Sequence, residues 1–131
     1  MIESFSGKYR WLSNFVGGVE QEYQAAKCKF AGDSEYIKTM TPASAKRFGR
    51  RVIMRRDWES IKLGVMLGLC RAKFSKEPYR TMLLETGQEH IQEGNTWHDT
   101  FWGVDLATGE GHNHLGKIIM IVRGELRQVG K

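Results

Sequence analysis

Apolar residues fall at helical spacing over most of this chain, and the elements can be read from that spacing. A helix is expected from Val19 to about Phe30, with Glu20, Tyr23, Gln24 and Lys27 on one face at i, i+3, i+4 and i+7. A polar stripe of this kind is either solvated or turned inward to line a pocket. Asp33 and Ser34 are suited to cap a short helix carrying Tyr36, Ile37 and Met40. Thr41-Pro42 marks a further helix start, an N-cap threonine with proline in the first turn, leading to Ala43, Lys46, Arg47 and Arg50. Gly49 stands near its end, and Val52-Ile53-Met54 reads as a brief extended stretch. Asp57 then caps the longest helix, Trp58 to about Phe74, whose apolar stripe is Trp58, Ile61, Val65 and Leu69, widened by Met66 and Cys70. Ser75 opens another helix with Tyr79, Met82 and Leu83 inward, ended by Thr86-Gly87. Leu115 to about Leu126 closes the series; its length favours helix over strand.

Two stretches break this pattern. Phe5 to Phe15 is aromatic-rich with a glycine turn and suggests a short strand and loop, in which Asn14 is a turn residue or a polar contact. Glu93 to Gly103 sets Trp97, His98, Asp99, Phe101 and Trp102 between two glycines, and neither a helical nor a strand period fits it. Its aromatic rings, each burying about 150–250 Å², must face something. The stretch is a core plug, or the wall of a ligand pocket with Asn95 and Asp99 as polar points and Trp97 and Trp102 as stacking faces. The glycine-rich loop from Gly109 to Gly116 matches neither phosphate-binding fingerprint.

At 131 residues the expectation is one domain, residues 1–131, with a real hydrophobic core. The longest apolar run, Ile118 to Val122, is far short of the roughly 20 residues of a membrane span. Met1 to Phe5 show no signal-peptide pattern, and the expected location is the cytoplasm. Cys28 and Cys70 each lie in a helical pattern, as buried thiols do, and the four histidines show no metal spacing with them. The net charge of +5 is concentrated from Lys46 to Arg56, where Lys46, Arg47, Arg50, Arg51, Arg55 and Arg56 form either a solvated face or a phosphate-binding surface.

The order of motifs resembles the YbiA-like, or NADAR, family. The resemblance is carried by Phe5-Ser6-Gly7-Lys8-Tyr9, Leu12-Ser13-Asn14-Phe15, Val19-Glu20 with Tyr23-Gln24-Ala25-Ala26-Lys27, Ala45-Lys46 with Gly49-Arg50, and Arg56-Asp57-Trp58. It continues through Lys73-Phe74, Leu84 with Thr86-Gly87, Glu93-Gly94-Asn95, Trp97-His98-Asp99, Phe101-Trp102-Gly103, and Asn113-His114-Leu115-Gly116 with Met120 and Arg123. The chain departs from the family pattern between Phe15 and Val19, where only Val16-Gly17-Gly18 replaces a β-hairpin of a dozen or so residues.

The resemblance implies an α+β, predominantly helical single domain with a small β component. It implies cleavage of N-glycosidic bonds to ribose, with neither metal nor cofactor. The expected substrate is a phosphorylated N-riboside of the kind met in riboflavin synthesis, a ribosylaminopyrimidine phosphate. The alternatives are removal of ADP-ribose from guanine in nucleic acid, and a non-catalytic NAD or ADP-ribose binding module. No membrane partner is expected. The implied catalytic residues are Glu20, Lys27 and Asp99. The implied substrate-binding residues are Asn14, Lys46, Arg50, Trp58, Asn95, Trp97 and Trp102.

Overall fold

A computed structural model describes Ile2–Glu3 and residues 19–129. Asn14 and the Val16-Gly17-Gly18 connector lie outside the described residues. The chain divides into two compact units, residues 14–69 and residues 1–13 with 70–131.

The 14–69 unit is helical. Its α1 (Val19–Lys27), α2 (Ala31–Ile37) and α3 (Pro42–Gly49) enclose a small core of Ala25, Ile37 and Ala45, with Cys28, Met40, Phe48 and Val52 packed around it. The first helix ends three residues earlier than its periodicity suggests. Cys28 leaves the helix to form an antiparallel bridge with Met54, and the amides of Lys29 and Arg55 donate to the carbonyls of Ile53 and Lys27. The expected extended stretch at 52–54 is therefore what stops the helix.

Thr41 caps α3 as expected, its hydroxyl accepting from the Ser44 amide, with Pro42 in the first turn. Asp33 lies inside the first turn of α2, and Phe30 takes the N-cap position without a side-chain bond. The α4 helix (Trp58–Phe74) has the expected ends, but the Asp57 carboxylate is taken by Arg55 in a two-pronged ion pair at 2.6 and 3.0 Å. The buried line on α4 is Trp58, Met66, Cys70 and Phe74, whereas Ile61, Val65 and Leu69 are only half-buried. The stripe read from the sequence is thus rotated toward the Met66 side.

In the other unit, α5 (Tyr79–Leu84) places Leu83 in the core and ends at Gly87, whose φ of 64° suits glycine. The closing element is a helix, α6 (His114–Val129), burying Leu115, Ile118, Ile119 and Val122. Arg123 on the same helix is buried and donates to Thr86 Oγ1 at 2.8 Å.

A three-stranded sheet accompanies these helices, in the order β1 (Ile2–Glu3), β2 (Gln92–Asn95) and β3 (Val104–Asp105). The first pair is antiparallel, with Ile2 opposite Glu93, and the second parallel, with Gly94 opposite Val104. The start of the aromatic stretch is therefore a strand, contrary to the reading that no strand period fits it. All of Glu93, Gly94 and Asn95 are buried, which removes the alternation that would reveal a strand. Among the described residues no helix is long and apolar enough to cross a membrane.

Both cysteines are free. Burial pushes the Cys70 thiol up to about 12, and at 1% exposure no reagent reaches it. Thiol titration at pH 8 is expected to leave Cys70 unmodified in the folded protein and to count both cysteines in denaturant. Modification of Cys70 without unfolding would contradict the packing of α4.

Candidate active site

One face of α1 gathers the expected catalytic residues of the 14–69 unit. Glu20, Tyr23, Gln24 and Lys27 share that face, and the structure turns it inward: Glu20 is 4% exposed and Tyr23 7%, while Gln24 and Lys27 are half-buried. Glu20 lies in the first turn of α1, where the helix dipole favours a negative charge, and Lys27 lies in the last, where it favours a positive one. Two turns separate them, and Gln24 lies between. Its Nε2 donates to Glu20 Oε1 at 3.4 Å, and its Oε1 accepts from Lys27 Nζ at 3.4 Å.

The α3 helix supplies the cations. Its cap and proline set its start, and its last turns carry Lys46 and, at the C-cap, Arg50. Lys46 acts electrostatically on Glu20, and Arg50 on Lys27. Burial raises the Glu20 carboxyl above the ordinary glutamate value, and the Gln24 bond, Lys46 and Lys27 offset this only in part. Burial lowers the Lys27 amine; Cys28, Glu20 and Glu59 act to raise it, and Arg50 to lower it further. Trp58 opens α4 with its ring 5.1 Å from that of Tyr23, the two planes tilted by 35°. Structure thus gathers Glu20, Lys27, Lys46, Arg50 and Trp58 in one unit. Arg50 is exposed, and the rest of the basic segment is solvated as well: Arg47, Arg51, Arg55 and Arg56 are exposed.

Of the other expected site residues, Asn95, Trp97, Asp99 and Trp102 belong to the second unit, and Asn14 lies outside the described residues. Asn95 is fully buried and braces its own loop. Its Oδ1 accepts from the Asp99 amide at 2.9 Å, and its Nδ2 donates to the Asp99 carbonyl at 2.8 Å and the Val104 carbonyl at 3.4 Å. Asp99 Oδ1 accepts from the amides of Phe101 and Trp102, both at 3.0 Å. Trp97 is 47% exposed, so it plugs no core, and Trp102 is half-buried with its ring edge-on to Phe101. Between the two tryptophans, His98 has φ 64° and holds the buried Asp105 carboxylate at 2.6 Å, which keeps that carboxyl below its usual range.

Three features went unread in the sequence. The bridging place of Gln24 was visible only as a position on the α1 face. The His98–Asp105 pair left no signal, since it depends on a backbone turn. Lys73 entered only through a motif, yet it is a buried amine between the rings of Phe74 and Tyr79, lowered by burial to about 8.

A NADAR domain family model matches residues 9–127. The chain belongs to the NADAR family. Among NADAR relatives, an N-glycosidase of Nostoc punctiforme is 38% identical over 118 residues, covering 85% of this chain and 74% of the relative. The chloroplastic riboflavin biosynthesis protein PYRR of Zea mays is 40% identical over 124 residues, 82% of this chain but only 19% of that longer protein. N-glycosidase YbiA of Shigella flexneri is 36% identical over 111 residues, covering 82% of this chain and 68% of the relative. The NMR structure of E. coli YbiA matches with a TM-score of 0.82 at 32% identity, over 98% of this chain and 84% of that one. The NADAR chain therefore has the expected α+β, predominantly helical fold.

The raised Glu20 carboxyl has a consequence for stability. Between the ordinary value of 4.5 and its own higher value, the folded protein binds more protons than the unfolded one, so stability falls as pH rises. The cost is complete above the folded value and absent below 4.5. Glu20→Gln keeps the shape and removes the charge. It is expected to stabilise the protein by about 0.5–2 kcal/mol at neutral pH, the size of gain that a single favourable substitution commonly gives. The gain should shrink as pH falls toward 4.5. Thermal melts of both proteins from pH 5 to 8 check this; a gain independent of pH would contradict it.

Proposed function

We propose that this NADAR chain hydrolyses the N-glycosidic bond of a phosphorylated riboside, of the ribosylaminopyrimidine phosphate type. Its relatives named N-glycosidases and riboflavin biosynthesis proteins support the bond type and the substrate class. The observation that carries the reading is the placement of Glu20. A buried carboxylate shares one face with Lys27, and Lys46 and Arg50 stand one turn apart beside them.

Each group suits one demand of the reaction. Breaking the C1′–N bond puts positive charge on the ribose, and a carboxylate at that carbon stabilises it electrostatically. The bond's electron pair leaves with nitrogen, which takes up a proton from solvent; Glu20 restores the balance when it releases to solvent the proton it then takes from water. Water adds its oxygen to C1′ and gives its proton to the carboxylate, a transfer favoured by the raised proton affinity of Glu20. Lys46 and Arg50 would hold the phosphate, the arginine through its planar fork. Lys27, lowered by burial, would balance the carboxylate or, when neutral, add to the C1′ aldehyde of a ring-opened ribose and lose water to give a Schiff base, which water then hydrolyses to free the amine. The reading rests on the 14–69 unit alone.

A second substrate, ADP-ribosylated guanine in nucleic acid, is favoured by one observation: Arg47, Arg50, Arg51 and Arg56 are exposed along one segment. The purified protein should be given a ribosylaminopyrimidine phosphate and an ADP-ribosylated guanine oligonucleotide in parallel, with mass spectrometry of the products. Release of free aminopyrimidine from the first only is expected. Glu20→Gln should lower kcat by about 10²–10⁴-fold with KM little changed, the usual loss when a general acid–base is removed. Release from the oligonucleotide alone would move the substrate to nucleic acid, and release from neither would leave a binding module.

A further inference from the structure

We infer that Gln24 is a positioning residue for this reaction, its amide braced against the bare backbone of Gly49 and holding Glu20 and Lys27 at the two ends of one polar relay. The inference rests on the reading of Glu20 as the catalytic carboxylate.

Glu20 and Lys27 are seven residues apart on α1, about 10.5 Å along the helix axis, so they are not neighbours on its surface. Gln24 is four residues from one and three from the other, the two spacings at which helical side chains meet. The two ends of its amide are chemically different. A carboxylate only accepts and an ammonium only donates, so a single orientation serves both: Nε2 toward Glu20 and Oε1 toward Lys27. That is the orientation found, with both bonds at 3.4 Å. The other glutamine of this helix, Gln21, donates instead to the Met40 carbonyl at 3.2 Å and takes no part.

Gly49 shows that the place is built. It ends α3 with no left-handed φ, so its backbone does not demand glycine, and glycine weakens a helix relative to alanine. Space is the reason for it: a Cβ at 49 would run into the Gln24 amide, 2.7 Å from Cδ. The bare backbone of α3 is thus a floor under the amide and limits where it can turn.

The consequence for Glu20 follows from the direction of the bond. Donation to a carboxylate favours its charged form and opposes the effect of burial. The other charges acting on Glu20 are Lys27 on its own helix and Lys46 on α3; Arg50, Glu59 and Cys28 act on Lys27. Gln24 therefore extends into acid the range over which the buried carboxylate stays ionised, against the larger effect of burial.

The test needs a reading that does not depend on turnover. Carbon-detected NMR can titrate the Glu20 carboxyl in the wild type and in Gln24→Met, which keeps length and removes both polar ends. The midpoint is expected to rise by about one pH unit, a tenfold change in proton affinity. The acid limb of kcat/KM for the ribosylaminopyrimidine phosphate should move with it. Gly49→Ala, which pushes the amide aside, should shift the midpoint the same way, and it serves if Gln24→Met does not fold. An unmoved midpoint in both variants overturns the inference, and an inactive Glu20→Gln would then leave the proposed function standing. A moved midpoint beside a Glu20→Gln enzyme of full activity overturns the proposed function, and the role of Gln24 in catalysis with it.

Discussion

A carboxylate taken out of water is the constraint around which the 14–69 unit is arranged. An isolated buried charge is costly, and a protein that keeps one surrounds it with opposite charge and hydrogen bonds. Glu20 has each of these: the first turn of a helix, Lys46 from α3, Lys27 from its own helix and the amide of Gln24. They do not cancel the burial, since the carboxyl still holds its proton more tightly than a free glutamate. That residual imbalance is what a proton-handling group requires. The α3 helix lies against the α1 face with its bare Gly49, where a Cβ would meet the Gln24 amide.

The second unit solves a different problem. Its strands are short, and the chain between them is irregular, so many backbone groups lack a ladder partner. Side chains take that place. Asn95 and Asp99 close the loop between β2 and β3. Asp105 accepts from the Ala107 amide and from His98, and Asn113, at φ 54°, bonds the backbone at both Ile91 and Glu93. Asn95 and Asp99, expected as site residues, also bind their own loop together.

The helices were legible because their signals are local. Thr41-Pro42, the spacing along Trp58–Phe74 and the apolar period of α6 each need only their own segment. What escaped depended on partners distant in sequence. The end of α1 is set by Met54, the carboxylate of Asp57 is claimed by Arg55, and β2 is a strand because of neighbours at residues 2–3 and 104–105. The candidate site divides in the same way. Glu20 and Lys27 fall on one face by arithmetic, and whether that face is wet or dry is decided by what packs against it, which the segment itself does not encode. Asn95, read as a polar point of a pocket, could be recognised as a brace only from its bonds, and Asn14 lies outside the described residues.

Asn113 ties the start of α6 to the strand region through two bonds, one of them from the Glu93 amide at 2.9 Å, and Gly116 leaves no room for a Cβ against that side chain. A backbone proton held by a side chain is released when that side chain withdraws. The exchange of the Glu93 amide with solvent deuterium therefore times the lifting of the first turn of α6, an opening smaller than global unfolding. One backbone proton thus acts as a clock for the breathing of a whole helix end.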